Sequence, residues 1–164
     1  MKPATRATDF ESSLASSLPK THALLNSSNL TLHPAVSCVV LHGSRGLAGG
    51  YRPDSDIDLS LHVDLPEGIA ASELPVLLRE VLETTLRNWR SSIEADLAAV
   101  FDIRNCRLKC FDRTSWDAQL CATGGIDCFG LYKIQKGFNG FVNNAGVQVE
   151  LMYPCLKIWQ RRND

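Results

Sequence analysis

No stretch of the 164-residue chain approaches the roughly twenty consecutive apolar residues that a membrane-spanning helix needs. The opening residues, MKPATRATDFESS, also lack the apolar core of a secretory signal, so neither an embedded nor an exported protein is expected. An excess of charge of one sign is missing too. With 17 basic and 18 acidic residues the net charge is −1, which argues against a dedicated duplex-binding surface. The six cysteines (Cys38, Cys106, Cys110, Cys121, Cys128 and Cys155) form no C-x-x-C pair. They read as buried or half-buried free thiols in a reducing cytoplasm, with a zinc site from Cys106 and Cys110 disfavoured. Internal repeats and low-complexity tracts are absent. What is present is ordinary for a globular protein: 45% hydrophobic and 21% charged residues. A single domain over residues 1–164 is expected, large enough to bury roughly two-thirds of its unfolded surface.

One stretch stands out, VVLHGSRGLAGGYRPDSDIDLSLHV from Val39 to Val63. It reads as an apolar strand ending near Leu41 or His42, a glycine-rich loop from Gly43 to Ser55, and a second strand from Asp56 to Val63. Strand alternation puts Asp56, Asp58 and Ser60 on one face and Ile57, Leu59 and Leu61 on the other. At a rise of about 3.3 Å per residue, the two carboxylates lie roughly 7 Å apart and point the same way. Packing gives a strand no reason to place two acids on one face. A hard cation such as Mg²⁺, which takes carboxylate oxygens and leaves positions open for phosphate, does. The glycines make no Walker A loop, because no Gly-Lys-Ser/Thr follows. Asp54, Asp56 and Asp58 imitate the start of an EF-hand loop, but Leu59 and Leu65 stand where that loop needs Gly and Glu.

A helix is expected from about Ser72 to Trp89, with Leu74, Leu77, Leu78, Val81, Leu82 and Leu86 on one face. Ser72 is its candidate cap, and Pro75 is tolerated in its first turn. It forms a crossover to a third strand over Ile93 to Ile103, so strands two and three are expected to run parallel. Of the acids on that strand, only Glu94 and Asp96 can reach the edge where Asp56 and Asp58 sit. Upstream, residues 9–26 suggest a helix interrupted at Pro19, followed by a loop from Ser27 to Pro34. Downstream, a strand over residues 107–111, a short helix over 115–121 and a strand over 147–153 are expected. Phe138 to Val142 is the candidate hairpin partner of that last strand. His42 and His62 border the site and are expected to pack or face solvent. Lys133, Lys136, Arg161 and Arg162, with Phe138 and Trp159, are expected on a solvated rim.

Gly43-Ser44, eleven intervening residues and then Asp56-Ile57-Asp58 resemble the signature of the DNA polymerase β-like nucleotidyltransferases, closest to their minimal, stand-alone branch. The match covers about a third of the chain and lies within a motif-bearing core over about residues 35–104, before a strand-rich extension over about 105–164. The resemblance implies an α/β (α+β) fold with a small mixed sheet and flanking helices. It also implies an enzyme that moves a nucleoside monophosphate from an NTP, with ATP the expected donor, to a hydroxyl. Asp56, Asp58 and, by preference over Glu94, Asp96 would ligate two Mg²⁺ ions (Mn²⁺ substituting) and serve catalysis. Gly43, Ser44 and Arg45 would bind the nucleotide, with Arg52 a further candidate against phosphate charge. Minimal relatives often act as antitoxins that modify a tyrosine of a partner toxin, commonly a HEPN-type RNase. That makes a protein acceptor the leading expectation. The rivals are a non-catalytic antitoxin of the same fold and a synthase of nucleotide second messengers.

Overall fold

The computed structural model describes residues 2–102, 129–142 and 154–162. Within them the chain is mixed α/β, with a six-stranded mixed sheet, a separate two-stranded sheet and three helices. In chain order the elements are β1 (Thr5–Arg6), α1 (Ser12–Ser17), α2 (Pro19–Ser27), β2 (Thr31–Leu32), β3 (Val36–His42) and β4 (Ile57–Val63). After these come α3 (Leu74–Asn88), β5 (Ala95–Asp102), β6 (Phe129–Lys133), β7 (Gly140–Phe141) and β8 (Leu156–Gln160). The large sheet runs β7-β6-β5-β4-β3-β8. Only β4 and β5 pair in parallel; every other neighbouring pair is antiparallel. The elements expected at 107–111, 115–121 and 147–153 lie outside the described residues.

Local chemistry accounts for the main elements. The expected break at Pro19 divides α1 from α2, with Leu18 serving as the last cap of one and the first of the other. Proline fits at the first helical position because its missing N–H has no acceptor there. Helix α3 forms on the leucine periodicity, burying Leu78, Val81 and Leu82. Its cap is Glu73 instead of Ser72, and the Glu73 side chain makes no capping bond. At the far end, the Trp89 indole donates to the Ile93 carbonyl at 2.9 Å and closes the short turn into β5. That leaves Ile93 and Glu94 in the turn, with the strand beginning at Ala95.

The sheet's apolar face carries Leu41, Ile57, Leu59, Leu61, Leu97 and Ala99, which share one core with Leu78 and Leu82 of α3 and Leu14 and Leu25 of the amino-terminal helices. Several pairings lie outside the sequence expectation, among them those of β6 with β5 and β7. The loop at 27–34 contains β2, which pairs with β1 at Thr5↔Leu32, and Thr85 of α3 donates to the Thr31 carbonyl at 2.8 Å. Residues 156–160, not read as a strand, form β8 and pair with β3 through Val39↔Trp159. Phe138 to Val142 contributes β7, which pairs with β6 (Tyr132↔Phe141). Among the described residues, no helix is long and apolar enough to cross a membrane.

Ile158 on β8 is fully buried within the core. Ile158→Ala is expected to destabilise the protein by about 2–5 kcal/mol through lost burial and an unfilled cavity. Chemical denaturation checks this; a loss of only a few tenths would mean that β8 is not part of the cooperative core.

Candidate functional site

The loop between β3 and β4 begins with a tight turn. Gly43 has φ +74°, and the Gly46 N–H donates to the Gly43 carbonyl at 3.0 Å. A side chain at Gly43 would collide with the Asp58 carboxylate, its Cβ falling 3.0 Å from Asp58 Cγ. Glycine is therefore required twice, for its left-handed backbone and for the closeness of the acid. Pairing of His42 with Asp58 across β3 and β4 brings the turn and the acids to one edge of the sheet. Ser44 is half-buried, and its hydroxyl makes no hydrogen bond among the described residues.

Arg45, expected among the nucleotide-binding residues, turns back into its own loop. Its Nε donates to the Ser55 carbonyl at 2.7 Å, and Nη2 lies 3.3 Å from the Arg52 and Pro53 carbonyls. Tyr51 covers the guanidinium, with 4.7 Å from Cζ to the ring centroid, and Thr21 of α2 donates to the Arg45 carbonyl at 2.7 Å. Only 7% of the residue is exposed to solvent. This buried cation fastens a loop that has little regular structure of its own. Arg52 is solvent-exposed and lies 3.7 Å from Asp54.

The three expected acids converge. Asp58 on β4 pairs directly with Asp96 on β5, and their carboxyl groups come within hydrogen-bonding reach. Asp56 sits just before β4, on the same side. Partial burial and the neighbouring Asp96 and Asp56 charges push the Asp58 carboxyl up to about 6 from its ordinary 3.8. Glu94, the alternative third acid, is exposed and contributes its backbone carbonyl to Ile57 N–H at 2.9 Å. The register thus selects Asp96 as the neighbour of Asp58. His42 and His62 face the same side of the sheet: His42 Nε2 lies 2.8 Å from Ser60 Oγ, and His62 is buried beside Ser37 and Cys38.

Two residues assigned by sequence reasoning to a solvated rim belong to this cluster. Lys133 at the end of β6 places Nζ 2.9 Å from Asp96 Oδ1, with both side chains largely buried. Lys136, in the turn after β6, forms an ion pair with Asp56. Gln135 between them holds the turn, its side chain accepting from Leu97 N–H at 3.0 Å and donating to the Ala95 carbonyl at 2.9 Å. The signal available in the sequence was slight: the short apolar and aromatic run from Phe129 to Tyr132, and Gly137 marking a turn next to Lys136. By contrast, Arg161 binds the Val36 and His33 carbonyls and Arg162 pairs with Asp9, away from the acids.

Oxygen-rich donors of this kind suit a hard cation. Among the described residues no group of three or more His, Cys, Asp or Glu side chains stands assembled as a ligand set. Two of the three acids are instead engaged by lysines. The crowding of Asp58 against Asp96 is the condition that a divalent ion would relieve, so the residues fit Mg²⁺ in donor type without standing assembled around an ion. Comparison of the chain with family models, with curated proteins and with solved structures returns no match.

The raised Asp58 value has a definite sign. Between pH 3.8 and about 6 the folded chain keeps a proton that the unfolded chain has released, so stability falls as pH rises through that window. In the presence of chelator, wild-type melting temperature is expected to drop relative to Asp58→Asn from pH 4 to pH 7. A wild type that gains on the variant over this range would contradict the assignment.

Proposed function

We propose that the chain is a Mg²⁺-dependent nucleotidyltransferase with a polymerase β-like fold. The observation that carries the reading is the meeting of Asp58 and Asp96 in register across parallel strands, beside the Gly43-Ser44 turn and Asp56. The strand order supports the same fold: an antiparallel β3–β4 pair that carries the turn and the first acids, then a helical crossover to a parallel β5.

In this reading Asp56, Asp58 and Asp96 would hold the metal, which supplies Lewis-acid neutralisation of polyphosphate charge when bound. The Ser44 hydroxyl and nearby backbone amides receive the terminal phosphates, and Arg45 keeps the loop in shape for them. An acceptor hydroxyl oxygen attacks the α-phosphorus, forming a new P–O bond. The bond to the α–β bridging oxygen breaks, and pyrophosphate leaves with that electron pair. Asp96 takes the acceptor's proton. ATP is the proposed donor, and a protein hydroxyl such as a toxin tyrosine the proposed acceptor. The lysine pairs on Asp96 and Asp56 favour one rival, a non-catalytic binding module whose acids are neutralised internally.

Incubating the protein with Mg²⁺ and α-³²P-labelled ATP, with and without host lysate, tests the reading. Label is expected on a macromolecular acceptor. Asp56→Ala is expected to lower transfer by more than about 100-fold, beyond the 10–100-fold that outer-shell partners of a metal carry. A labelled small molecule would point to messenger synthesis. No transfer from any of the four NTPs would favour the binding module.

A further inference from the structure

The turn after β6 is built at some conformational expense. Lys136 has φ +55°, one of two non-glycine residues with positive φ among those described, and Gly137 follows at φ +86°. A lysine gains nothing locally from that backbone, and residues in such sparsely populated regions persist where the surroundings over-determine them. Three contacts do so here. The Phe138 N–H donates to the Gln135 carbonyl at 3.0 Å, closing the turn. The Gln135 side chain takes up the free N–H and C=O of Leu97 and Ala95 as a neighbouring strand would. Asn139 accepts from Arg79 of α3, fixing the turn's far side. The outcome is an ammonium group on Asp56, with the lysine side chain 43% exposed and that of Asp56 25% exposed. Lys133 differs: it is only 20% exposed and is anchored to Asp96 on the strand itself.

We propose that Lys136 is a built-in occupant of the cation position at Asp56, displaced when a divalent ion binds, and that it then moves onto the polyphosphate of the incoming nucleotide. The second half of this proposal rests on the nucleotidyl-transfer reading; the first does not. Its physical basis is competition. A monovalent ammonium and a divalent ion cannot both take the same carboxylate oxygens, and the more exposed of the two lysines is the one free to leave. A long flexible stem on a rigid turn lets the charge travel several ångströms while the backbone stays in place. Once off Asp56, the ammonium lies between the Glu94 carboxylate, whose charge already acts on it, and the phosphate chain that arrives with the metal, which carries the larger negative charge.

Mn²⁺ binding in the absence of nucleotide, followed by electron paramagnetic resonance, reads the first half. Lys136→Met is expected to bind Mn²⁺ about two- to fivefold more tightly than wild type, the scale of one partly exposed ion pair. Lys136→Gly, which also releases the positive φ and so leaves the fold at least as secure, is expected to match it. Lys136→Arg retains wild-type affinity, and Lys157→Met on β8 leaves it unchanged. Mg²⁺ with inorganic tripolyphosphate reads the second half, with binding to Lys136→Met weakened about threefold or more. Unchanged Mn²⁺ affinity in the Met and Gly variants would overturn the proposal, as would equal tightening in Lys157→Met. Tripolyphosphate affinity equal to wild type would overturn the transfer to phosphate. Tightened Mn²⁺ binding in a chain that transfers no nucleotide would instead uphold the displacement and overturn nucleotidyl transfer.

Discussion

Two carboxylates opposed on neighbouring parallel strands, Asp58 and Asp96, are the constraint around which the rest of the sheet edge is arranged. Partial burial, and after it the nearness of a like charge, hold the Asp58 carboxyl up at about 6. The fold tolerates the cost because the pair is set by the β4–β5 ladder, which is bonded along its length and backed by the leucine face of α3. Each acid then imposes its own demand. Asp58 excludes a side chain at Gly43; Asp96 and Asp56 draw in Lys133 and Lys136.

The two cationic devices near the site work differently. Arg45 is shielded from water and bonded to backbone carbonyls of its own loop, so its charge holds the Gly43-to-Ser55 segment in one shape. The lysines arrive from a hairpin far along the chain and set their charge directly against the acids. Guanidinium suits the first task because its planar fork can bind several carbonyls at once; ammonium suits the second because it is a compact point charge. A resemblance based on local motif residues draws attention to Arg45 as a phosphate ligand, whereas its hydrogen bonds turn it into the loop.

Much of the core was legible along the chain because its signals are local. The alternation of Ile57, Leu59 and Leu61 against Asp58 and Ser60, the leucine period of α3, the proline break and the Gly-Ser turn each lie within a single short window. From these came the antiparallel and parallel pairings and the three acids on one edge. The edge strands were harder. β1 and β2 have two residues each, too few to show a period, and β8 is a five-residue strand whose Leu-Lys-Ile-Trp-Gln does not alternate cleanly. Phe138 to Val142 held a strand, and its partner among the described residues, β6, comes before it in the chain; the partner expected at 147–153 lies outside them.

By itself, then, the sequence determined the mixed α/β class, the strand–loop–strand unit with its acids, and Glu94 and Asp96 as the acids able to reach that edge, because hydrophobic period and turn chemistry act over neighbouring residues. Only tertiary structure set Asp96 opposite Asp58, since strand register is a relation between β4 and β5 and is written in neither. Only tertiary structure, likewise, brought Lys133 and Lys136 to acids 37 and 80 positions away, turned Arg45 inward, and placed β8 beside β3. Charge pairing across such separations depends on how the sheet is assembled, and no local pattern records that assembly.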